Sequence, residues 1–274
     1  MAAPPQDDDF PWWLVVALFL GVAGALFVAS DAGLRRTFEV VAAGITTTIF
    51  VTLVGFALAC LIGLGIATMA LSQRQVLRQV ARFYVEIVRG VPILVLLFYI
   101  AFVGAPALVW LMNGIVEPIG ALLGREWRMG VRDFPLIWRA AIALTIGYSA
   151  FIAEVFRAGI QSVPDGQVEA AKALGLRPWA RFRTVVFPQA IRTILPPLGN
   201  DFVAMVKDSS LVSVLGVADM TQNAKVYAAG SFTFFETYST LAYLYLWLTI
   251  GLSLLLRRLE IRLRGVVRDG SERS

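Results

Sequence analysis

The stretch EAAKALGLRPWARFRTVVFP, Glu169 to Pro188, sets Lys172, Arg177, Arg181 and Arg183 against one acid, Glu169, in a chain that is otherwise largely apolar. Arg192 follows just beyond it. Glu169, Ala170, Ala171, Ala173 and Leu174 favour helix. Pro164-Asp165 is a start signal, and Gly175 tolerates the left-handed backbone angles of a sharp exit. Pro178 suits the first turn of another helix. Ser162 to Trp179 therefore reads as a helix, a glycine break and a second helix at an angle to the first. Such a knob is too polar for lipid. It lies between two strongly apolar segments and is suited to a groove on a soluble partner.

Composition sets the class around this stretch. Residues of the apolar set make up 58% of the 274, and the mean hydropathy is +0.73. Soluble domains run at about 45–50% apolar. Apolar stretches near twenty residues recur, long enough to cross a bilayer core as helices, and the short alternating strands of a membrane barrel are absent. The expected fold is all-α, a polytopic membrane helical bundle. Six spans are predicted, at about Phe10–Ser30, Val41–Leu71, Val91–Met112, Ile137–Phe156, Gln189–Gly216 and Tyr238–Leu256. The first reads as an uncleaved span rather than a signal peptide, because its leading region is acidic, with Asp7, Asp8 and Asp9. Trp12 and Trp13 sit where an interfacial belt belongs. Asp31–Val40 reads as a short connection, and Pro196-Pro197 as a break in the fifth span. The chain then divides into residues 1–40 with the first span, a core of 41–256 that includes the polar loop at 162–188, and a basic tail of 257–274.

The net charge is +5 with a pI near 9.7. The basic residues gather in Ser72–Gly90, in Arg157–Arg192 and after Leu256, which six spans place on one side. That side is the cytoplasm by the excess of lysine and arginine, so both termini are expected inside. The charge then speaks for topology and anionic membrane lipids rather than nucleic acid. There is no histidine, and the single cysteine, Cys60, lies inside an apolar segment. Histidine catalysis, clustered-cysteine metal sites and an internal disulfide are excluded. No G-x-x-x-x-G-K-[ST] loop is present, so ATP binding in the P-loop manner is excluded. The chain holds no nucleophile–base pair with an orienting group, so it does not read as an enzyme.

Lys207 and Asp208 fall midway along the fifth expected span, where each charge costs roughly 2.5–3.5 kcal/mol. Asn200, Ala204, Lys207 and Asp208 share a helical stripe that either lines a path for a zwitterion or belongs to an internal packing network. Glu154 and Arg157, three apart, form a local pair or touch solute, and Glu86 with Arg89 has the same spacing. Gly55, Ala59 and Gly63 recur at four-residue intervals, a spacing that brings helices close in lipid. The connection Asn113–Leu136 is charged, with a short interfacial helix expected at Gly120–Gly124.

Glu169-Ala170-Ala171, Gly175, Val185 and Phe187-Pro188, at their spacing, resemble the EAA signature of permease subunits of ATP-binding-cassette importers, with Val185 and Phe187 where the family prefers Ile and Leu. The runs Phe83–Leu94, Ala153–Pro164, Leu195–Phe202 and Val206–Ser213 are similar to segments of polar amino-acid and opine permeases. Together the likeness spans roughly Gly44 to Leu256. The first span and the longer outer connection depart from it. The resemblance implies the type I importer transmembrane fold, with Glu169, Ala170, Ala171 and Gly175 in a cytoplasmic coupling helix that docks on a separate ATPase. It implies as partners ATPase subunits, a second permease subunit, an extracytoplasmic solute-binding protein and an amino-acid substrate. ATP and Mg would be bound by the ATPase, with no cofactor in this chain. It also implies alternating access in a bacterial cytoplasmic membrane. The rival reading, an ion-coupled secondary transporter of amino acids with a relay of Lys207, Asp208 and Glu154, leaves the EAA stretch unexplained.

Overall fold

The computed structural model describes residues 12–271. The acidic run Asp7–Asp9, Phe10 and Arg273 lie outside them. No strand occurs among the described residues, so the all-α expectation holds. The helices in chain order are α1 (Trp12–Ser30), α2 (Ala32–Ala42), α3 (Ile45–Ala70), α4 (Gln75–Gly90), α5 (Ile93–Tyr99), α6 (Ala105–Leu122), α7 (Leu136–Gln161), α8 (Asp165–Ala173), α9 (Pro178–Arg181), α10 (Phe187–Asp208), α11 (Met220–Ser231) and α12 (Phe234–Ser271). A π-helical turn, Ile100–Gly104, joins α5 to α6, and another, Phe182–Val186, joins α9 to α10.

Five described segments are long and apolar enough to cross a membrane: Trp12–Ser30, Ala32–Ala70, Ile93–Leu122, Leu136–Gln161 and Phe234–Leu259. They correspond to the first, second, third, fourth and sixth expected spans. The fifth corresponds to α10, whose 22 residues are also long enough, at roughly 1.5 Å per residue. It is less apolar because Arg192, Asp201, Lys207 and Asp208 lie along it.

The bundle is organised on α3 and α7, which pack along their length. Small residues permit this. Gly55, Ala59 and Gly63 on α3 are buried, and α7 answers with Ala140, Ala141, Ala143, Ser149, Ala150 and Ala153. A Cβ on Gly63 would stand 3.0 Å from the Ser149 carbonyl oxygen and 3.1 Å from the Ala153 nitrogen. The four-residue repeat is therefore an internal seam. Around it Val51, Leu97, Leu144, Ile152, Met205 and Val212 form the main apolar core. Thr145 on α7 donates its hydroxyl to the Ala141 carbonyl at 2.7 Å and lies 3.2 Å from the Gly55 carbonyl, so the polar atom at the seam is satisfied within it.

Several expectations are corrected. Asp31–Val40 is not a loop. Asp31 caps a helix by accepting from the Leu34 N–H at 2.8 Å, and α2 buries Thr37 and Val41 against α11 and α12. Ser72–Gly90 is mostly helix as well. α4 lays Ala81, Tyr84, Val85 and Val88 on the bundle, where the Tyr84 and Ser149 hydroxyls share a hydrogen bond of 2.7 Å. Its arginines repeat on one face, which lowers the hydropathy of the segment without preventing it from packing. The Gly120–Gly124 helix is instead the last turn of α6, which carries the third span out to Leu122. The fifth span is not broken at Pro196-Pro197, since α10 runs through both prolines. They remove two helical N–H groups and leave the carbonyls of Arg192 and Thr193 without their usual partners. The last connection also holds a helix, α11, with Met220, Ala224 and Ala228 buried.

The first helix is held by the last. Tyr243 on α12 donates its hydroxyl to the Gly21 carbonyl at 2.9 Å, and Trp247 fills the space beside Gly21.

If the α3–α7 seam organises the bundle, Gly63→Val should lower the thermal midpoint of the detergent-solubilised chain, with a cost of about 1–3 kcal/mol for overpacking. Gly65→Val, on the same helix with open space around it, supplies the control. Equal midpoints for the two variants would refute the seam's role.

Candidate functional site

The polar loop folds as its residues dictate. Helix α8 begins at Asp165 after Pro164 and ends at Ala173. Gly175 takes φ +71, and two backbone bonds close the exit. The Gly175 N–H donates to the Lys172 carbonyl at 2.9 Å, and the Leu176 N–H donates to the Ala171 carbonyl at 3.1 Å. This pair of bonds is a Schellman ending, which needs a residue at ease with positive φ. Pro178 opens α9, as the sequence indicates, but this helix is one turn long and merges through the π-helical turn into α10. The knob is thus an outgrowth of the foot of α10.

Its orientation is fixed. Val163, Ala190 and Ile194 form a small buried cluster joined by Val155, Ile160 and Val168. The Gln189 amide donates to the Gln167 side-chain oxygen at 2.6 Å and to the Val185 carbonyl at 2.8 Å. Of the four sequence-selected residues, Ala171 is buried against this base, while Glu169, Ala170 and Gly175 are exposed. Leu174 and Trp179 are 81% and 70% exposed. Two large apolar side chains are thus left exposed on a polar knob, with the Trp179 ring stacked on that of Phe182 at 5.9 Å between centres.

The expected solute-path residues separate. Asn200, Ala204 and Lys207 are exposed along one side of α10. Asp208 turns away from them and accepts a hydrogen bond from the Tyr148 hydroxyl on α7 at 2.7 Å. The α-helix stops at Asp208 and continues as a 3-10 helix, Ser209–Leu215, so Lys207 and Asp208 close α10 rather than sitting midway along an unbroken helix. Glu154 forms an ion pair with Arg157, as their spacing allows. Glu86 and Arg89 are not joined this way. Arg89 instead lies over the Phe151 ring, 5.3 Å from its centre. With Glu154 held by Arg157 and Asp208 by Tyr148, the acids are not linked into a relay with Lys207.

Two clefts join these elements. One, of about 300 Å³, lies between α4, α7 and α10 and is lined by Arg89, Phe151, Glu154, Thr193, Pro197 and Asp201 among others. It holds a guanidinium, two carboxylates and the Thr193 segment whose carbonyl Pro197 releases. Asp201 presents a buried Oδ2 with no hydrogen-bond partner among the described residues. The second cleft, about 600 Å³, continues toward the loop end of the bundle past Arg78, Arg82, Glu86 and Arg157. Charged groups of both signs around a space of this size match a small zwitterion.

A family model described as the binding-protein-dependent transport system inner membrane component matches residues 59–265. The chain belongs to this family. The permease is 34% identical over 222 residues to the glutamine transport system permease protein GlnP of Escherichia coli, covering 81% of this chain and 91% of that protein. It is 35% identical over 208 residues to the probable amino-acid permease protein YxeN of Bacillus subtilis, covering 76% and 84%. The nopaline transport system permease protein NocM of Agrobacterium fabrum is 31% identical, over 82% of this chain and 88% of its own. Among solved structures, that of an amino acid ABC transporter with histidines is 35% identical and covers 84% of this chain and 97% of that one, with a TM-score of 0.68. The inward-facing methionine transporter MetNI, at 19% identity and a TM-score of 0.61, shares the fold. The permease is thus an amino-acid ABC importer permease of the polar amino-acid type, a multi-pass membrane protein with the type I importer fold.

The sequence reading passed over Asp201 and Tyr148 as site residues. Asp201 follows Asn200 directly, and an acid inside a span was itself the signal. Tyr148 gave none, since only the packing of α7 on α10 brings its hydroxyl to Asp208. Arg89 was visible only through its spacing to Glu86 within the basic run Ser72–Gly90.

The Tyr148–Asp208 bond can be measured by a double-mutant cycle on thermal or denaturant unfolding. Tyr148→Phe and Asp208→Asn should show a coupling of about 1 kcal/mol or more, as expected of a hydrogen bond to a charged group. Additive effects would show that the two side chains do not interact.

Proposed function

We propose that this permease forms half of the transmembrane passage of an ATP-driven amino-acid importer in a bacterial cytoplasmic membrane. The knob of α8 and α9 faces the cytoplasm and receives the motion of a separate ATPase. One observation carries the coupling assignment: a rigidly based helix bearing the EAA residues, ended by a left-handed Gly175, with Leu174 and Trp179 exposed beside it. A solute-binding protein delivers the amino acid at the opposite end, and a second permease subunit completes the passage. ATP and Mg belong to the ATPase.

The attachment of the knob supports alternating access. The base of α8 is packed on α10 and on the end of α7, so a displacement of the knob is transmitted to these helices rather than absorbed by a loose loop. Both helices border the cleft that holds Arg89, Glu154 and Asp201. When the ATPase dimer closes, the knobs of two permeases approach, the helices tilt, and the cleft changes the side to which it opens. Within it, Arg89 meets the α-carboxylate of the solute, and Asp201 with Glu154 meets the ammonium. The exposed stripe Asn200, Ala204 and Lys207 continues the path toward the binding protein, while Asp208 is held by Tyr148 beside it.

The deciding experiment is amino-acid-stimulated ATP hydrolysis and uptake in proteoliposomes containing the permease, its ATPase and its binding protein. Stimulation by one or a few amino acids is expected. Uptake driven by an ion gradient with no ATPase bound would turn the assignment to secondary transport. Gly175→Val should remove most ATP-driven uptake while the protein stays in the membrane, because a branched residue at this φ costs at least 1–2 kcal/mol and displaces the exit of α8. Glu169→Lys should do the same through the contact with the ATPase. Unchanged uptake in both would sink the coupling assignment. Asp201→Asn should raise the KM for the amino acid roughly tenfold or more, as loss of a charged hydrogen bond implies, with basal ATP hydrolysis retained. An unaltered KM would remove Asp201 from the solute path.

A further inference from the structure

We propose that Phe151 is a positioning residue: its ring face holds the Arg89 guanidinium in the cleft between α4, α7 and α10 and leaves the guanidinium N–H groups free for the solute's carboxylate. The proposal rests on the reading of Arg89 as the partner of that carboxylate. The guanidinium lies over the Phe151 ring, 5.3 Å from its centre. This is inside the roughly 6 Å at which a cation is drawn to the electron-rich face of an aromatic ring. Both side chains line the cleft of about 300 Å³.

Little else fixes this arginine. Arg89 stands in the last turn of α4, one residue before Gly90 ends the helix, and the chain turns extended at Val91 before Pro92. A Cβ on Gly90 would meet nothing within 4 Å, so the chain beside Arg89 is not wedged by packing. Arg89 forms no ion pair among the described residues. Glu154, one turn beyond Phe151 on α7, is taken by Arg157, which donates its Nε to Oε2 at 2.9 Å and a second N–H to Oε1. Phe151, in contrast, is firmly set. It is half-buried on α7, and its ring centre lies 6.3 Å from that of Tyr148. Tyr148 is itself buried and donates its hydroxyl to Asp208 at 2.7 Å.

The kind of partner matters chemically. A carboxylate on Arg89 would neutralise the guanidinium and occupy its N–H donors, and the solute would have to displace it. An aromatic face attracts the charge and has no lone pair that consumes those donors. Arg89 is thus oriented yet keeps the fork that binds a carboxylate through two parallel hydrogen bonds. Holding a long, flexible side chain in place beforehand also lowers the ordering cost of binding. Phe151 therefore serves solute affinity through Arg89, with no polar atom of its own.

The test is equilibrium binding of radiolabelled amino acids by the permease–ATPase complex in detergent, without the binding protein. The common protein amino acids are offered singly, and the one bound most tightly is carried forward. Phe151→Leu should raise its Kd roughly two- to fivefold, the size of one cation–aromatic contact. Phe151→Tyr, which keeps a ring face, should restore the wild-type Kd. In an Arg89→Gln background, Phe151→Leu should raise the Kd no further. Phe151→Met keeps the bulk and loses the face, and decides the matter if the leucine variant is unstable. An unchanged Kd in Phe151→Leu, no rescue by tyrosine, or an equal effect in the Arg89→Gln background would overturn the proposal while leaving the solute cleft in place. A wild-type Kd in Arg89→Gln, or a wild-type complex that binds no amino acid, would instead sink the carboxylate contact and the proposal with it.

Discussion

The close approach of α3 and α7 is the constraint on which the rest of the molecule depends. In lipid, apolar surface gains little by leaving the solvent, so helices are held by dispersion contacts and hydrogen bonds at short range. Gly55, Ala59 and Gly63 meet the alanines and serine of α7 closely enough that a single added methyl group at Gly63 meets backbone. With that pair fixed, α4 lies along one side of it and α10 along the other. The cleft between α4, α7 and α10 is framed by that pair.

The same frame explains how a polar knob can be a working part rather than a decoration. A helix of nine residues has little stability of its own. Here its base is buried with Val163, Ala190 and Ile194, its exit is locked by two backbone bonds, and its Gln167 is joined to Gln189 of α10. Among the residues left exposed are the apolar pair Leu174 and Trp179 and the acid Glu169. Stiffness at the base and exposed apolar surface at the tip are what the proposed coupling role requires.

Legibility in the sequence followed the range of the interactions. The turn at Gly175 was readable because a positive φ is a local demand that glycine meets, and the start at Asp165 because proline precedes it. The apolar spans were readable because length and hydropathy decide membrane crossing. The small-residue repeat was readable as a packing seam, though not which helix it faces. By contrast, Asp31–Val40 and Ser72–Gly90 looked like loops because their charges lower the average. Both are amphipathic helices, and an average over a window discards the face on which the charges lie. Pro196-Pro197 looked like a break, yet packing on both sides keeps α10 continuous and leaves only two carbonyls free. The continuous α10 then ends at Asp208, which moved Lys207 and Asp208 to its end.

The sequence by itself determined the class of the molecule, the EAA element with its helix ends, and the absence of any P-loop, because these rest on composition and on residues near one another in the chain. Only the tertiary structure decided which charges meet. Arg89, Glu154 and Asp201 come from α4, α7 and α10, and they line one cleft only through the packing of those helices. Tyr148 meets Asp208 across sixty residues of chain, a pairing that has no local signal in either segment. Charge inside a membrane must find a partner or water, and where that partner lies is a property of the packed bundle.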